Sequence, residues 1–459
     1  MSPASAPRRP TAAALAARAL RSVAGGRLLP PPLRIRFWDG SELPAADPSA
    51  PTAVVRDCTA LAHLLHAPNQ VGLARAWLEG SLELDGELEQ VLPLRERYRD
   101  LRLTPLDRAR LALAAAALGG GRAVRRPPIP AIEARSRGRL HSLARDRSAI
   151  SHHYEISNRF YELMLGPTMV YSCAYFDDPS ASLEEAQTRK LETICRKLRL
   201  RAGERFLDIG CGWGSLVIHA ARHYGVRATG ITLSSAQADL ARERIAAAGL
   251  EGRAEVRVCD YRELRDGPYD KIASVGMYEH VGRAKLGEYV RSVHALLRPG
   301  GLFLNHGIAR LRNDPGTRET FINRYIFPDG ELHPVTAVMG ELERGDFELR
   351  DLESLREHYV LTLRRWLANL DAHAETALAE VGAQRLRAWR LYLIGSAHAF
   401  ASADISVFQV LSARYGGPHQ LPLTRRELLE APTVETPHAP AVATPRASVP
   451  TAASAGARA

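Results

Sequence analysis

The stretch that decides the fold is Arg205-Phe206-Leu207-Asp208-Ile209-Gly210-Cys211-Gly212-Trp213-Gly214, in a chain of 459 residues. Its apolar first half is typical of a buried strand, and a helical pattern starts at Trp213. The glycines let the backbone approach a ligand that a Cβ atom would repel. Their spacing is G-x-G-x-G, which differs from the G-x-G-x-x-G of the dinucleotide fingerprint. The stretch therefore predicts a ligand-binding turn between a strand and a helix.

Strands and helices alternate for about 110 residues around this turn. The sequence predicts further strands over 226–231, 254–258, 269–275 and 301–305, and helices over 183–198, 213–224, 234–248 and 283–297. Such alternation predicts an α/β fold with a mostly parallel sheet and helices on both faces. Ligands of these sheets lie at the carboxyl ends of the strands, so the chemistry is expected just after each strand.

The glycine turn resembles the S-adenosylmethionine loop of class I methyltransferases. The resemblance implies a Rossmann-like catalytic sheet in which Asp208 orients the charged end of the cofactor. Many class I enzymes carry an acidic residue after the second strand, whereas this chain has hydroxyl and amide side chains over 232–237. Those groups can make the same hydrogen bonds without charge. The implied cofactor residues are Tyr171, Ser172, Asp208, Gly210, Cys211, Gly212, Gly214, Thr232, Leu233, Ser234, Gln237, Asp260, Tyr261 and Arg262.

Three blocks outside the turn are more specific. They are HHYEISNRFY (152–161) with MVYSCAYF (169–176), SVGMYEHVG (274–282), and NHGI (305–308) with FPDGEL (327–332). Together with the turn they resemble the cyclopropane-fatty-acyl-phospholipid synthase family, which includes the mycolic acid cyclopropane synthases. The resemblance runs from about residue 34 to residue 417.

The resemblance implies a reaction and its residues. The sulfonium methyl of S-adenosylmethionine passes to a cis double bond of an unsaturated acyl phospholipid, and proton loss closes a cyclopropane ring. A bicarbonate ion acts as the base in this family; no metal is expected, and a homodimer is an option. The implied anion site comprises side chains of Glu279, His306 and Tyr359, with backbone groups of Cys173, Gly276 and Ile308.

Two positions depart from the family pattern. Ser396 stands where family members often carry a cysteine, so if the enzyme is active, its reaction does not require a covalent cysteine at that position. Gly307 stands where a threonine is common, which predicts a looser anion site. Aromatic faces stabilise cations, although plain core packing is the alternative role for each ring. The candidate rings are Tyr175, Phe176, Tyr278 and Phe303.

The positive charge of the chain is concentrated in one segment. Residues 95–147 hold fourteen arginines and five acidic residues, a net charge of +9 out of +10 for the chain. Such a segment attracts phosphate, either of nucleic acid or of anionic lipid headgroups, and a merely solvated surface is the alternative. Because the resemblance implies a lipid substrate, we expect peripheral association with an anionic membrane surface and no nucleic-acid partner.

Composition suggests five regions. We expect a loose N-terminal arm (1–30), a smaller, mostly helical lipid-associating domain (31–125), a linker (126–150), the catalytic domain (151–420) and a disordered tail (431–459). No apolar run is long enough to span a bilayer. The five cysteines have neither disulfide nor metal-ligand spacing, so a cytoplasmic protein on the inner face of the membrane is expected.

Three alternatives stay open. A related enzyme would resolve the same cation into an exocyclic methylene or a methyl branch. A class I methyltransferase for a small polar metabolite would need polar substrate contacts near residues 171–176. A non-enzymatic lipid-binding protein would not need the intact turn together with Glu279, His306 and Tyr359.

Overall fold

A computed structural model describes residues 10–94, 103–134, 138–154, 156–311 and 320–429. The predicted tail at 431–459 and all four arginines between 95 and 102 lie outside these ranges. Within them, none of the helices combines the length and the apolar character needed to cross a bilayer.

The N-terminal part combines a small sheet with helices. Its four strands are ordered β2-β1-β3-β4, and only β1 and β3 run parallel. The strands are β1 (Arg34–Arg36), β2 (Glu42–Leu43), β3 (Thr52–Val55) and β4 (Leu82–Asp85). The helices are α1 (Ala12–Ser22), α2 (Thr59–His66), α3 (Gln70–Leu78), α4 (Pro105–Gly119) and α5 (Gly121–Val124).

The prediction of a loose arm over residues 1–30 is wrong for α1, which is a packed helix. Thr11 caps the helix by accepting a hydrogen bond from the Ala14 N–H, and the Ala12 N–H donates to Asp39. Ala12, Ala13 and Ala16 are buried against the small sheet. Alanines at this spacing share one helix face, and their small side chains allow close packing.

The prediction of a linker over residues 126–150 is also wrong in part, because this segment contains regular structure. Helix α6 (Leu143–Tyr154) begins inside it. Glu133 is buried, and its carboxylate accepts from Arg75 on α3 at 2.9 and 2.7 Å and from the Tyr325 hydroxyl at 2.6 Å. A buried carboxylate needs such partners, and here they come from both sides of the linker.

The catalytic part is built on a seven-stranded sheet of order β10-β11-β9-β8-β5-β6-β7. The predicted parallel strands are present, whereas the antiparallel β10 and β11 were not predicted, and β9 is much longer than expected. The strands are β5 (Arg205–Ile209), β6 (Arg227–Thr232), β7 (Ala254–Val258), β8 (Tyr269–Val275), β9 (Leu297–Arg310), β10 (Phe347–Ser354) and β11 (Ile405–Arg414).

Helices cover both faces of this sheet, as predicted for the α/β class. Leu302 and Leu304 of β9 pack on one face with α8, α9 and α10, while Phe303 packs on the other face with α11 and α13. A third core joins α7, α14 and α15 beside the sheet. The helices are α7 (Asn158–Leu165), α8 (Leu183–Lys197), α9 (Ser215–Tyr224), α10 (Ser235–Ala247), α11 (Leu286–Leu296), α12 (Phe321–Tyr325), α13 (Val335–Arg344), α14 (Arg356–Ala372), α15 (Ala374–Ala401) and α16 (Arg425–Leu429).

Candidate active site

A cavity opens at the carboxyl ends of β5, β6 and β8, where the switch-point rule predicts a ligand. Most of the predicted cofactor residues line it: Tyr171, Ser172, Asp208, Gly210, Cys211, Gly212, Thr232, Leu233, Gln237, Asp260, Tyr261 and Arg262. Gly214 and Ser234 do not line it; instead they occupy the N-cap positions of α9 and α10. Lys190, Met277 and His280 also line the cavity and were not predicted.

The turn after β5 depends on glycine conformation. Gly210 and Gly212 have φ values of +82° and +53°, in the left-handed region that favours glycine. A Cβ on Gly210 would lie 3.1 Å from the Met277 side chain. The turn thus brings main chain, without side chains, to the cavity wall.

Asp208 is the charged group beneath this turn. It is buried, and its Oδ1 atom has no hydrogen-bond partner among the described residues. Burial raises the pKa of Asp208 to about 7, against the opposing effect of Lys190. Lys190, also buried, donates to the Ser172 hydroxyl at 2.9 Å, and burial lowers its pKa to about 8. An unsatisfied carboxylate in the cavity favours a cationic ligand.

Two pairs of predicted cofactor residues are each joined by hydrogen bonds. Thr232 donates to Gln237 Oε1 at 2.7 Å, which fixes the orientation of that amide. Arg262 donates to both carboxylate oxygens of Asp260, at 2.8 and 2.7 Å, and to Asp146 at 2.9 Å. The Asp260 carboxylate therefore serves first to hold Arg262 at the cavity wall.

Glu279 lies on the loop after β8. Its Oε1 atom accepts from the Ile308 N–H at 2.7 Å, and its Oε2 atom is buried without a partner in the described part of the chain. Burial raises the pKa of Glu279 to about 7. A carboxyl group with this pKa exchanges its proton near neutrality.

His306 lies within β9, opposite Val275 on one side and Gln409 on the other, so its predicted place after a strand was wrong. The strand is longer than its sequence pattern suggested because β11 pairs along it. The Nε2 atom of His306 is buried without a partner among the described residues. Burial and the charges of Lys190 and Lys197 hold the pKa of His306 well below its usual range.

Backbone contacts link Gly276, Ile308 and the helix that carries Tyr359 to His306 or to its strand. The Gly276 N–H donates to the His306 carbonyl at 2.7 Å. Ile308 pairs with Val407, whose carbonyl accepts from the Leu355 N–H at 2.9 Å. Leu355 directly precedes α14, the helix that carries Tyr359.

Several backbone groups predicted for the anion site have partners within the protein. The N–H groups of Gly276 and Ile308 already donate within the protein, to His306 and Glu279, and the Ile308 carbonyl accepts from Tyr278. Cys173 packs in the same core as Tyr359, with its Sγ atom 3.7 Å from the Leu355 carbonyl; burial raises the pKa of this thiol. Within the described part of the chain, the side chains of Glu279 and His306 each keep one buried polar atom without a partner.

With this geometry in place, comparison with known proteins decides the family. The family model described as mycolic acid cyclopropane synthetase matches residues 141–410. The chain belongs to this family. Its fold is that of class I S-adenosylmethionine-dependent methyltransferases, and methylation of lipid acyl chains is the reaction class that the family supports.

Relatives extend the likeness of this family member beyond the catalytic domain. A probable fatty acid methyltransferase of Pseudomonas putida is 39% identical over 86% of this chain and 96% of its own length. The cyclopropane-fatty-acyl-phospholipid synthase of Escherichia coli is 39% identical over 57% of this chain and 66% of its own. A mycolic acid cyclopropane synthase complexed with SAH and CTAB has a TM-score of 0.56 and 32% identity, covering 58% of this chain and 98% of that one.

The structure explains the Gly307 departure in this family member. A Cβ at position 307 would lie 2.0 Å from a ring carbon of Tyr278. The Tyr278 hydroxyl donates to the Ile308 carbonyl at 2.6 Å, which holds the ring there. The ring therefore fills the space that a threonine side chain at position 307 would need.

The aromatic residues that line the cofactor cavity are Tyr171, Trp213 and Tyr261, and none of the four candidate cation-stabilising rings is among them. Phe303 and Tyr278 pack in the core on the other face of the sheet. Tyr171, which lines the cavity, instead meets Trp366 at 5.2 Å and Trp389 at 6.0 Å between ring centroids. The tryptophans come from α14 and α15, about 200 residues later in the chain, so no local pattern connects them to Tyr171.

Proposed function

We propose that this protein transfers a methyl group from S-adenosylmethionine to a cis double bond of an unsaturated fatty acyl chain in a phospholipid and closes a cyclopropane ring. The observation that carries the proposal is that Glu279 Oε2 and His306 Nε2 are both buried without a partner among the described residues. Glu279 lies between Met277 and His280, and His306 pairs with Val275; these three neighbours line the cofactor cavity. Methyl transfer to an alkene produces a cation that must lose a proton, and this site offers groups to receive it.

The residues present fit a small oxyanion such as bicarbonate. A neutral imidazole with a proton on Nε2 donates one hydrogen bond, and a carboxyl group whose pKa is raised to about 7 can donate or accept another. Bicarbonate, when bound there, would supply the base for the proton of the new methyl group. Glu279 Oε2 would then exchange that proton onward, since the atom is buried and has no other partner in the described ranges.

The surroundings suit a weak nucleophile. An alkene reacts only if water is excluded and the double bond is held in line with the methyl group. Phe160, Tyr161, Trp366 and Trp389 are fully or almost fully buried around Tyr171, and the Tyr171 hydroxyl donates to that of Tyr392. Their ring faces favour a transient positive charge. S-adenosylmethionine supplies the electrophilic methyl when bound.

Analysis of membrane lipids tests the proposed product. Expression of the active protein in a bacterial host is expected to give acyl chains heavier by one CH₂ unit that resist mild hydrogenation and show cyclopropane proton signals. An exocyclic methylene product has the same mass but takes up hydrogen, and a methyl-branched product is heavier by two further hydrogens. Host lipids that stay unchanged, with only a small metabolite methylated, would overturn the proposal.

We also propose that helix α4 seats the protein on an anionic membrane surface. Leu106 and Leu113 stand on one face of this helix and are 58% and 72% exposed. The exposed Arg110 lies on the same face, four residues after Leu106 and three before Leu113, and the exposed Arg125 follows after α5. Apolar side chains beside arginines suit the boundary between acyl chains and anionic headgroups.

Vesicle sedimentation tests this surface. Vesicles that contain anionic phospholipid are expected to bind the protein, and binding should weaken as salt rises because the arginine–phosphate attraction is screened. Leu106→Ser with Leu113→Ser should reduce binding several-fold, whereas the matched change Leu378→Ser, at another exposed leucine, should not. Equal binding to neutral vesicles at all salt concentrations would contradict the proposal, and tight binding to duplex DNA would favour the nucleic-acid alternative.

A further inference from the structure

A glutamine on β11 contacts the imidazole of His306 away from the cofactor cavity. Gln409 lies directly opposite His306 in the β9–β11 pair, and its Nε2 atom is 3.2 Å from His306 Nδ1. Both side chains are about 1% exposed. Water does not compete for this contact, so the two groups must satisfy each other.

A buried lysine fixes which end of the Gln409 amide faces the histidine. Lys197 Nζ is 2.8 Å from Gln409 Oε1. An ammonium group only donates hydrogen bonds, so the amide oxygen must point to Lys197 and the amide nitrogen to His306. The Gln409 nitrogen therefore donates to Nδ1, and Nδ1 accepts.

The position of Lys197 is itself secured by acidic groups. The lysine is fully buried at the end of α8, where it contacts Glu353 and lies 3.5 Å from Asp351, both on β10. Tyr175 donates to Glu353 at 3.2 Å. The carboxylate partners offset the cost of burying an ammonium group. That charge also opposes protonation of His306.

We infer that Lys197 and Gln409 are positioning residues that hold His306 as the neutral tautomer with its proton on Nε2. Nε2, which has no partner among the described residues, is then a hydrogen-bond donor, and the imidazole stays neutral because its second nitrogen is occupied as an acceptor. This inference rests on the proposed function only for its catalytic consequence, since the tautomer itself is a property of the protein without ligand.

Nitrogen NMR of the full-length protein labelled with ¹⁵N-histidine tests the tautomer directly. His306→Gln identifies its signals among the sixteen histidines. The expected spectrum has an unprotonated Nδ1 and a protonated Nε2 across the range from mildly acidic to neutral pH. A protonated Nδ1 in the unaltered protein would overturn the inference without any need for a further variant.

Two variants test the contacts from Lys197 through Gln409 to His306. Gln409→Glu replaces the donor with an acceptor of the same shape, so the histidine proton should move to Nδ1 and kcat should fall about 10- to 100-fold with little change in cofactor KM. Lys197→Met removes the opposing charge, so the pKa of His306 should rise and a new acid inflection should appear in the pH profile of kcat. Unchanged tautomer signals and an unchanged pH profile in both variants would overturn the inference.

The matched control is Lys271→Met. Lys271 is equally buried on β8, but its nearby carboxylate is Glu204, 3.9 Å away at the other end of the sheet. This change should lower stability without moving the His306 signals or the pH profile. A protein that makes no lipid product yet shows the predicted tautomer would contradict the proposed function and leave the tautomer assignment intact.

Discussion

Glu279→Gln is expected to lower kcat for acyl-chain methylation by about 10²–10⁴-fold, the range of a lost proton-transfer group. The amide keeps the shape of the side chain and can still accept from the Ile308 N–H through its oxygen. It has no titratable proton, whereas burial raises the pKa of the Glu279 carboxyl to about 7 and makes it an exchangeable group near neutrality. Product lipid by mass spectrometry and cofactor affinity by calorimetry give the two readouts.

Glu204→Gln is the matched control for this change. Burial also raises the pKa of Glu204, but the residue lies just before β5 at the amino end of the strand, away from the site. The control should retain turnover, and both variants should bind cofactor as the unaltered protein does. Full turnover by Glu279→Gln would remove this carboxyl from the proposed proton path.

Asp208→Asn is expected to weaken the binding of S-adenosylmethionine by about 10- to 100-fold, because a hydrogen bond to a charged partner contributes on the order of 1.5–3 kcal/mol. The carboxylate is buried at the end of β5 with Oδ1 unpaired among the described residues, so it has no competing acceptor role there. Isothermal titration with the cofactor measures the loss. Asp239→Asn, at an exposed position on α10, is the control and should bind normally.

The same carboxyl predicts a pH dependence of cofactor affinity. Its pKa is raised to about 7, so Asp208 loses its negative charge as the pH falls below that value, and attraction for a cationic cofactor falls with it. Lys190, with a pKa lowered to about 8, loses its repelling charge as the pH rises. Affinity should therefore increase from pH 6 to pH 8. Asp208→Asn should flatten the lower part of that curve, and an unchanged slope would contradict the assignment.

Those parts of the site that are contiguous in the chain could be predicted from the sequence. The turn after β5, with Asp208 and its glycines, needs only a buried strand, a left-handed backbone and a helix, and all three leave local patterns. The block around Glu279 was located in the same way, directly after a predicted strand. Even the departure at Gly307 was visible in the sequence, although its explanation, the Tyr278 ring, was not.

The sequence by itself therefore determined the α/β class and the cofactor turn, because hydrophobic period and glycine placement act over a few residues. It indicated the family through the resemblance carried by the three blocks outside that turn. Only the tertiary structure decided that His306 lies inside a strand, that Gln409 and Lys197 contact it, and that α1 and Glu133 are packed instead of loose. These contacts join groups separated by up to about 200 residues. They form because buried polar atoms need hydrogen-bond partners, and the fold supplies those partners from distant parts of the chain. No local sequence pattern predicts such pairs.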